Sequence, residues 1–289
     1  MPKFDIGSIV DDVKKNFKDK DRLANKVGSV GDLHELTDAD FIVLGDWWQK
    51  ATLTKGIPFN RLTTFAGTSD SGKTSVAIQA IKAALEQGCG VIYAETEGKT
   101  TNKDFLDWDV DPTQIVLISS NIAEELYEVV FQTWDSFREK YSDIPLLVVI
   151  DSIGNLISMR DQDLDMLEQS QKPGGGGKAN RLGLAKLMAR MGSEAAKTSL
   201  VLISYTYDNI GSSGKTTAGG HALHLFSSLM YQTQRKAWLY KTVKGEKKKV
   251  GAEVIFTQQK NHINKSNSGD YKIIYRITKD GFEYVSKEE

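Results

Sequence analysis

The chain has 289 residues, enough for one large domain or two small ones, and its 40% hydrophobic content can fill a sizeable core. Its formal net charge is -1, so no whole-molecule field draws in a polyanion and any nucleic-acid site must be local. The single cysteine, Cys89, excludes an internal disulfide and a cysteine-only zinc site and fits a reducing, cytoplasmic setting, while no run approaches the ~20 apolar residues of a membrane span.

Residues 1–27 read as an amphipathic helix. Ile6, Ile9, Val10, Val13 and Phe17 fall at helical spacing, and Gly28 ends it. Asp5, Asp11 and Asp12 argue against a signal peptide. We take 1–40 as an N-terminal helix or oligomerisation arm and 41–289 as the core. Thr37-Asp38-Ala39-Asp40 reads as a cap on a turn or helix start rather than a metal site. Of the adjacent Trp47 and Trp48, one is expected in the core and the other at a contact surface.

From Pro58 the pattern is β-α-β-α. Strand 61–66 runs into Gly67-Thr68-Ser69-Asp70-Ser71-Gly72-Lys73-Thr74, and Ser75 continues into a helix over 74–87. The spacing G-x-x-x-x-G-K-T between a strand and a helix is the phosphate-binding loop. Its glycines let backbone N–H groups converge on phosphate oxygens, and the helix N-terminus adds partial positive charge. Lys73 is placed to reach the β- and γ-phosphates and Thr74 to ligate Mg2+, so ATP with Mg2+ is the expected cofactor. Strands follow at 90–95, 114–118 and 146–151, with a helix at 121–140. Leu146-Leu147-Val148-Val149-Ile150 is apolar without interruption up to Asp151, as in a strand buried on both faces. The alternation predicts an α/β fold with a mostly parallel sheet flanked by helices. Asp151 then ends a strand at the carboxyl edge, where it can hold Mg2+ beside Thr74. Glu97 lies just beyond strand 90–95 and is the candidate to orient and deprotonate the attacking water, with Glu95 as its competitor. Tyr205, after strand 199–204, is read either as a γ-phosphate sensor or as a core tyrosine.

Two polar stretches interrupt the pattern. Residues 157–181 contain Arg160, Lys172, four consecutive glycines (174–177), Lys178 and Arg181, and read as a mobile loop before a helix at 179–197. Residues 206–220 form a second Gly/Ser-rich loop with Tyr207, Lys215 and Gly219-Gly220, followed by His221. The tail is β-rich, at about 227–240, 250–261, 271–277 and 282–286. Its hairpin carries Lys241, Lys244, Lys247, Lys248 and Lys249, a run that usually means a solvated turn.

Four blocks in order carry a resemblance: Gly67–Thr74, Tyr93-Ala94-Glu95-Thr96-Glu97-Gly98, Val149-Ile150-Asp151-Ser152-Ile153-Gly154-Asn155-Leu156, and Ala218-Gly219-Gly220-His221-Ala222-Leu223. Together they resemble the RecA-type strand-exchange recombinases, and are most similar to phage recombinases of the UvsX kind, over about 41–285. The resemblance implies a DNA-dependent ATPase that forms filaments on single-stranded DNA and pairs it with a homologous duplex. It implies that 157–181 and 206–220 are DNA-binding loops, that ATP lies between subunits, that Glu97 is the catalytic carboxylate, and that Lys260 reaches ATP from the neighbouring subunit. The alternatives on the same core are a hexameric helicase and a mediator that binds ATP without turning it over. Three positions depart from bacterial relatives: His221 replaces Asn, Tyr205 replaces the Gln that couples ATP to DNA, and His262 replaces a second lysine. No small C-terminal domain is expected after residue 289.

Overall fold

The computed structural model describes residues 5–15, 36–163, 175–208, 215–218, 220–243, 245–264 and 271–288. The chain divides into two units at Asp40/Phe41. In the first, helix α1 spans Ile6–Lys15, and the Asp5 carboxylate accepts the Ser8 N–H at 3.1 Å. The remainder of the expected 1–27 helix lies outside the described residues. A single 3-10 turn at Asp38–Asp40 is closed by Asp40 Oδ2, which accepts from the Thr37 N–H and hydroxyl; the acidic cluster is a cap, as its composition implied.

The second unit begins with β1 (Phe41–Val43), α2 (Asp46–Thr52) and β2 (Gly56–Pro58), where β1 and β2 pair antiparallel. Then come β3 (Leu62–Gly67), α3 (Lys73–Glu86), β4 (Gly90–Glu95), α4 (Asn102–Leu106), β5 (Ile115–Ser119), α5 (Ala123–Lys140) and β6 (Leu146–Asp151). After these follow α6 (Met159–Asp163), α7 (Gly175–Met191), β7 (Thr198–Asp208), β8 (Lys215–Thr217), α8 (Gly220–Phe226), β9 (Ser227–Val243), β10 (Glu246–Asn261), β11 (Lys272–Thr278) and β12 (Gly281–Glu288).

Among the described residues one large sheet runs β12-β11-β10-β9-β3-β7-β6-β4-β5, with β8 paired to β7. The pairs from β9 through β3, β7, β6 and β4 to β5 are parallel; those among β9–β12 are antiparallel. The C-terminal strands therefore extend the core sheet rather than forming a separate layer. The two-residue alternation of a strand sorts side chains between two cores. Val91, Tyr93, Leu147 and Val149 face the core covered by α2 and α3. Ile92, Ala94, Leu146, Val148 and Ile150 face the core covered by α5 and α7. Helix α5 meets that core through Leu126, Tyr127, Val130 and Trp134, three and four residues apart. Two glycines permit close helix contacts: a Cβ on Gly90 would lie 2.3 Å from the Phe137 ring, and one on Gly183 would lie 2.2 Å from the Tyr127 ring.

Several expectations are corrected here. Helix α7 starts within the glycine run, so Gly175–Gly177 are helical. The first four N–H groups of a helix have no intrahelical acceptor, so poor helix formers cost least in that turn. The same helix ends at Met191 rather than 197. The expected 206–220 loop is partly a hairpin: β7 continues to Asp208 and β8 returns against it, with Tyr207 opposite Thr216. Trp48 is fully buried, but Trp47 is half-buried and stacks on Phe282 at 4.5 Å between ring centres. Its packed face holds the C-terminal hairpin. Cys89 is a buried residue at the turn after α3, and burial pushes its thiol up to about 11.

Candidate nucleotide site and its flanking loops

The parallel strands β3, β4, β6 and β7 deliver their last residues to one edge, the place where open α/β sheets bind ligands. Gly67 ends β3 between Tyr205 of β7 and Thr233 of β9. A Cβ there would stand 2.2 Å from the Thr233 carbonyl oxygen, so this position requires glycine. Gly72 has φ +86° and turns the chain into α3. Asp70 also has a positive φ, 55°, a conformation that short polar side chains tolerate. The loop is fastened to β9 by a 2.7 Å bond between the Ser71 and Thr233 hydroxyls and by Arg235, whose guanidinium lies 3.1 Å from Asp70.

Lys73 is buried in the first turn of α3. Its ammonium donates to the Gly67 and Thr68 carbonyls at 3.0 and 2.6 Å and lies 4.6 Å from the centre of the Tyr205 ring. Burial lowers its pKa to about 8, against the opposing pull of Asp151, Glu97 and Asp70. Thr74 donates its hydroxyl to Asp151 Oδ2 at 2.8 Å, and Tyr93 donates to the same oxygen at 3.2 Å. Burial raises the Asp151 carboxyl to about 6 in spite of these bonds. Among the described residues no three His, Cys, Asp or Glu side chains converge on a metal. One carboxylate beside one hydroxyl is still a donor set that suits Mg2+, which keeps its waters and completes its shell with phosphate oxygens. Thr74 and Asp151 therefore fit the ion expected with ATP.

The two candidate carboxylates separate by their surroundings. Glu95 lies in register with Asp151 and is buried. Its oxygens accept the backbone N–H groups of Glu97, Gly98 and Lys99 at 2.9, 2.7 and 3.2 Å, so it folds the turn after β4. Glu97 projects from that turn into the cleft. Its Oε1 accepts the Tyr205 hydroxyl and, at 3.2 Å, that of Ser152; its Oε2 accepts from Lys99 at 2.6 Å. Burial alone would raise its pKa, but the Lys99, Tyr205 and Ser152 contacts outweigh burial and hold it below the usual carboxylate value. Thr96 and Ser152 exchange two bonds, of 2.7 and 3.0 Å, that lock this turn to the end of β6.

The resulting cleft holds about 500 Å3 and is lined by Ser69 to Ser75, Glu95, Glu97, Asp151 and Tyr205. Its outer wall is Thr100, Asp104, Asp107 and Trp108, which sequence reasoning missed. A second hollow of about 470 Å3 continues from Trp108 to Trp238 and Thr278. The segment after β4 supplies the outer wall, and Trp238 and Thr278 join Trp108 only through the long-range pairing of β9, β10 and β11. Arg235 was missed for the same reason. Tyr93 was within reach, since a residue two before Glu95 must share its face of β4.

The structure brings Gly67, Thr68, Ser69, Asp70, Ser71, Gly72, Lys73, Thr74, Ser75, Glu97, Asp151 and Tyr205 to one place. It does not bring Lys260 there. Lys260 pairs with Met230, and its ammonium donates to the His224 and Leu225 carbonyls at the end of α8, near the start of β9. His262 is exposed beside it. The residues expected to meet DNA are dispersed. Arg160 sits on α6, and Lys178 and Arg181 are exposed on α7 rather than on a loop. Arg160 and Lys178 share a hollow with Lys186, Glu124 and Glu128. Tyr207 is exposed on β7, Lys215 lies on β8, and Gly220 and His221 open α8. Lys172 and Gly219 lie outside the described residues. Ser204 donates to the Ala218 carbonyl at 2.6 Å and Ala218 donates to the Tyr205 carbonyl at 2.7 Å, so the hairpin is anchored at Tyr205 itself.

Residues 14–277 match the RecA N-terminal domain. The chain belongs to the RecA family. It is 28% identical over 215 residues to the protein RecA of Fusobacterium nucleatum, covering 72% of this chain and 52% of that one. It is 25% identical over 183 residues to the protein RecA of Malacoplasma penetrans, covering 62% and 53%. It is 26% identical over 189 residues to the protein RecA of Aquifex aeolicus, covering 64% and 52%. The chain thus spans about half the length of these RecA relatives. Among the described residues no helix is long and apolar enough to cross a membrane.

Proposed function

We propose that this chain is an ATP-dependent recombination protein that assembles as a filament on single-stranded DNA and promotes its pairing with a duplex. The observation that carries the reading is the contact of Tyr205 with Glu97, because Tyr205 also anchors the β7–β8 hairpin. One side chain therefore joins the nucleotide cleft to a segment bearing Tyr207 and Lys215. Membership of the RecA family supports the same conclusion. A variant of the phage UvsX kind and a cytoplasmic location belong to this reading as well.

In the proposed reaction ATP lies on Gly67–Thr74, and Lys73 exchanges the Gly67 and Thr68 carbonyls for phosphate oxygens. Thr74 and Asp151 would hold Mg2+, which would neutralise phosphate charge. Glu97 exchanges the Tyr205 hydroxyl for the attacking water and accepts its proton as the water oxygen bonds to the γ-phosphorus and the bond to the β–γ bridging oxygen breaks, releasing ADP and phosphate. Tyr205, once released, moves the hairpin that meets DNA, an order–disorder coupling of the kind seen in nucleotide switches. Arg160, Lys172, Lys178, Arg181 and Lys215, with Gly219 and Gly220, supply backbone-directed DNA contacts, and Tyr207 and His221 stack on bases. Lys260 would act on the ATP of a neighbouring copy, since its own cleft is out of reach, and residues 1–40 would serve as the arm that joins copies. The test is ATP turnover with and without single-stranded DNA, together with imaging in the presence of an ATP analogue. DNA-stimulated turnover with helical filaments is expected. Closed rings, or turnover and particle size indifferent to DNA, would overturn the reading.

A further inference from the structure

A glutamate side chain ends in a soft, nearly two-fold torsion, so a carboxylate held at one oxygen can still turn about its last bond. Glu97 is held at both. Its Oε1 accepts the Tyr205 and Ser152 hydroxyls, and its Oε2 accepts the Lys99 ammonium at 2.6 Å. Among the described residues this is the one ion pair that either side chain makes. The Glu97 side chain is 9% exposed and that of Lys99 is 76% exposed, so the lysine reaches from the mouth of the cleft to a carboxylate already set in its wall. Lys99 also starts from a fixed backbone. Its N–H donates to the buried Glu95 carboxylate together with those of Glu97 and Gly98, which gathers the three residues into one turn. Glu95 thus spends its two oxygens on backbone and leaves the ammonium to Glu97. Gly98 stands in the middle of the turn with φ +66°, where a Cβ would meet nothing within 4 Å. Glycine is needed there for the path of the chain and not for room. That path delivers the side chains of residues 97 and 99 to the same cleft.

We propose, on the reading of Glu97 as the base, that Lys99 is a positioning residue for hydrolysis: its ammonium holds Oε2 so that Oε1 keeps its aim when Tyr205 gives way to the attacking water. After that exchange the bond left on Oε1 is the one from Ser152, at 3.2 Å. The Lys99 bond is shorter and charge-assisted, the kind that fixes geometry best. A cation beside a base lowers its basicity, but phosphoryl transfer depends on orientation and on charge stabilisation at the phosphate more than on the strength of the base. Lys99 gives up no proton and touches no phosphate. The water passes its proton to Oε1, its oxygen bonds to the γ-phosphorus, ADP leaves, and Lys99 stays charged on Oε2 throughout. The two lysines of the cleft divide the work: Lys73 serves the phosphates from the loop, and Lys99 serves the base from the rim.

The test uses the full chain with ATP and Mg2+, with and without single-stranded DNA. It compares wild type with Lys99→Met, Lys99→Arg, Glu97→Gln and the Lys99→Met/Glu97→Gln double variant. Methionine keeps the unbranched stem of an exposed side chain, so the urea midpoint should not move. Lys99→Met should lower kcat about tenfold with KM for ATP unchanged, the pattern of a contact that counts only in the transition state. Lys99→Arg keeps the charge and the donor and should recover most of that loss. In single-turnover measurements, adding Lys99→Met to Glu97→Gln should slow hydrolysis no further, since the lysine acts only through that carboxylate. An unchanged or raised kcat in Lys99→Met would overturn the role, and so would a change confined to KM, which would mean contact with the nucleotide. An equal loss in the Glu97→Gln background, no recovery by arginine, or a kcat loss that follows a fallen urea midpoint would overturn it as well. Full turnover by Glu97→Gln, or none by wild type, would remove the base and the role of Lys99 with it. A slow Glu97→Gln beside an unimpaired Lys99→Met would remove the lysine alone. Turnover indifferent to single-stranded DNA would remove the recombination reading and leave the Lys99 comparison standing.

Discussion

Strands β3, β4, β6 and β7 are covered on both faces, whereas β10 alternates buried and half-exposed residues along Gly251–Gln258 and is exposed throughout Glu246–Lys249. In the first group polar chemistry is forced to the strand ends, and it concentrates in a single cleft. In the second it is spread along the strands, as with Glu253, Lys236 and Arg276. A strand buried on both sides thus makes a focused site that depends on few atoms. A strand buried on one side makes a surface whose effects are divided among many.

Substitutions should show this contrast, the cleft giving the larger changes. Lys73→Ala should lower kcat/KM for ATP about a thousandfold or abolish binding, measured by coupled turnover and by calorimetry. Normal hydrolysis by that variant would dissolve the focused site. Glu97→Gln should retain ATP binding and slow hydrolysis about a hundredfold, whereas Glu95→Gln should mainly lower stability by loosening the turn at Glu97–Lys99. Equal kinetic losses for the two would erase the distinction drawn between them. In the antiparallel half, Trp47→Ala should cost about 2 kcal/mol in denaturant unfolding by releasing Phe282 and Tyr275, with ATP affinity unchanged.

Smaller effects sharpen the picture within the cleft. Lys73 has a folded-state pKa lowered to about 8, and phosphate favours its charged form. ATP affinity should therefore be highest below pH 8 and fall by up to about tenfold per unit above it, with proton uptake on binding. Titration calorimetry at pH 7 and 9 in buffers of different ionisation enthalpy measures both, and a pH-independent affinity would contradict burial as the cause. Tyr205→Phe removes one hydrogen bond to Glu97, worth about 1 kcal/mol, and should change DNA-stimulated turnover about fivefold while ATP affinity holds.

The focused half was also the legible half. The interval from Gly67 to Thr74 between a strand and a helix, and the apolar run ending at Asp151, are local patterns, and the strands they predicted match β3, β4 and β6 within a residue or two. Glu95 and Glu97 could be proposed together from sequence, but only the folded turn after β4 shows that Glu95 is spent on the backbone N–H groups of Glu97, Gly98 and Lys99. The glycine run read as a loop because composition does not reveal that the first turn of a helix tolerates glycine. Arg235 meets Asp70, and Trp238 meets Trp108 in the adjoining hollow, through pairings between strands distant in the chain. No window of sequence contains that information. Lys260 illustrates another limit: its position was predictable, but its contact with the end of α8 depends on where β9 begins.

Strand β9 belongs to both halves of the sheet. Its first part is a parallel neighbour of β3, and Thr233 and Arg235 hold Ser71 and Asp70 of the phosphate loop. Its last part is the lysine-bearing hairpin that it forms with β10, some ten residues or ~30 Å further on. Mechanically it is a lever with its fulcrum beside the triphosphate. A load applied at the tip passes to that fulcrum along one strand, without crossing a loop, though two register shifts in the β9–β10 ladder lie between them. Torque at one end and geometry of the phosphate loop at the other are then two readings of the same displacement.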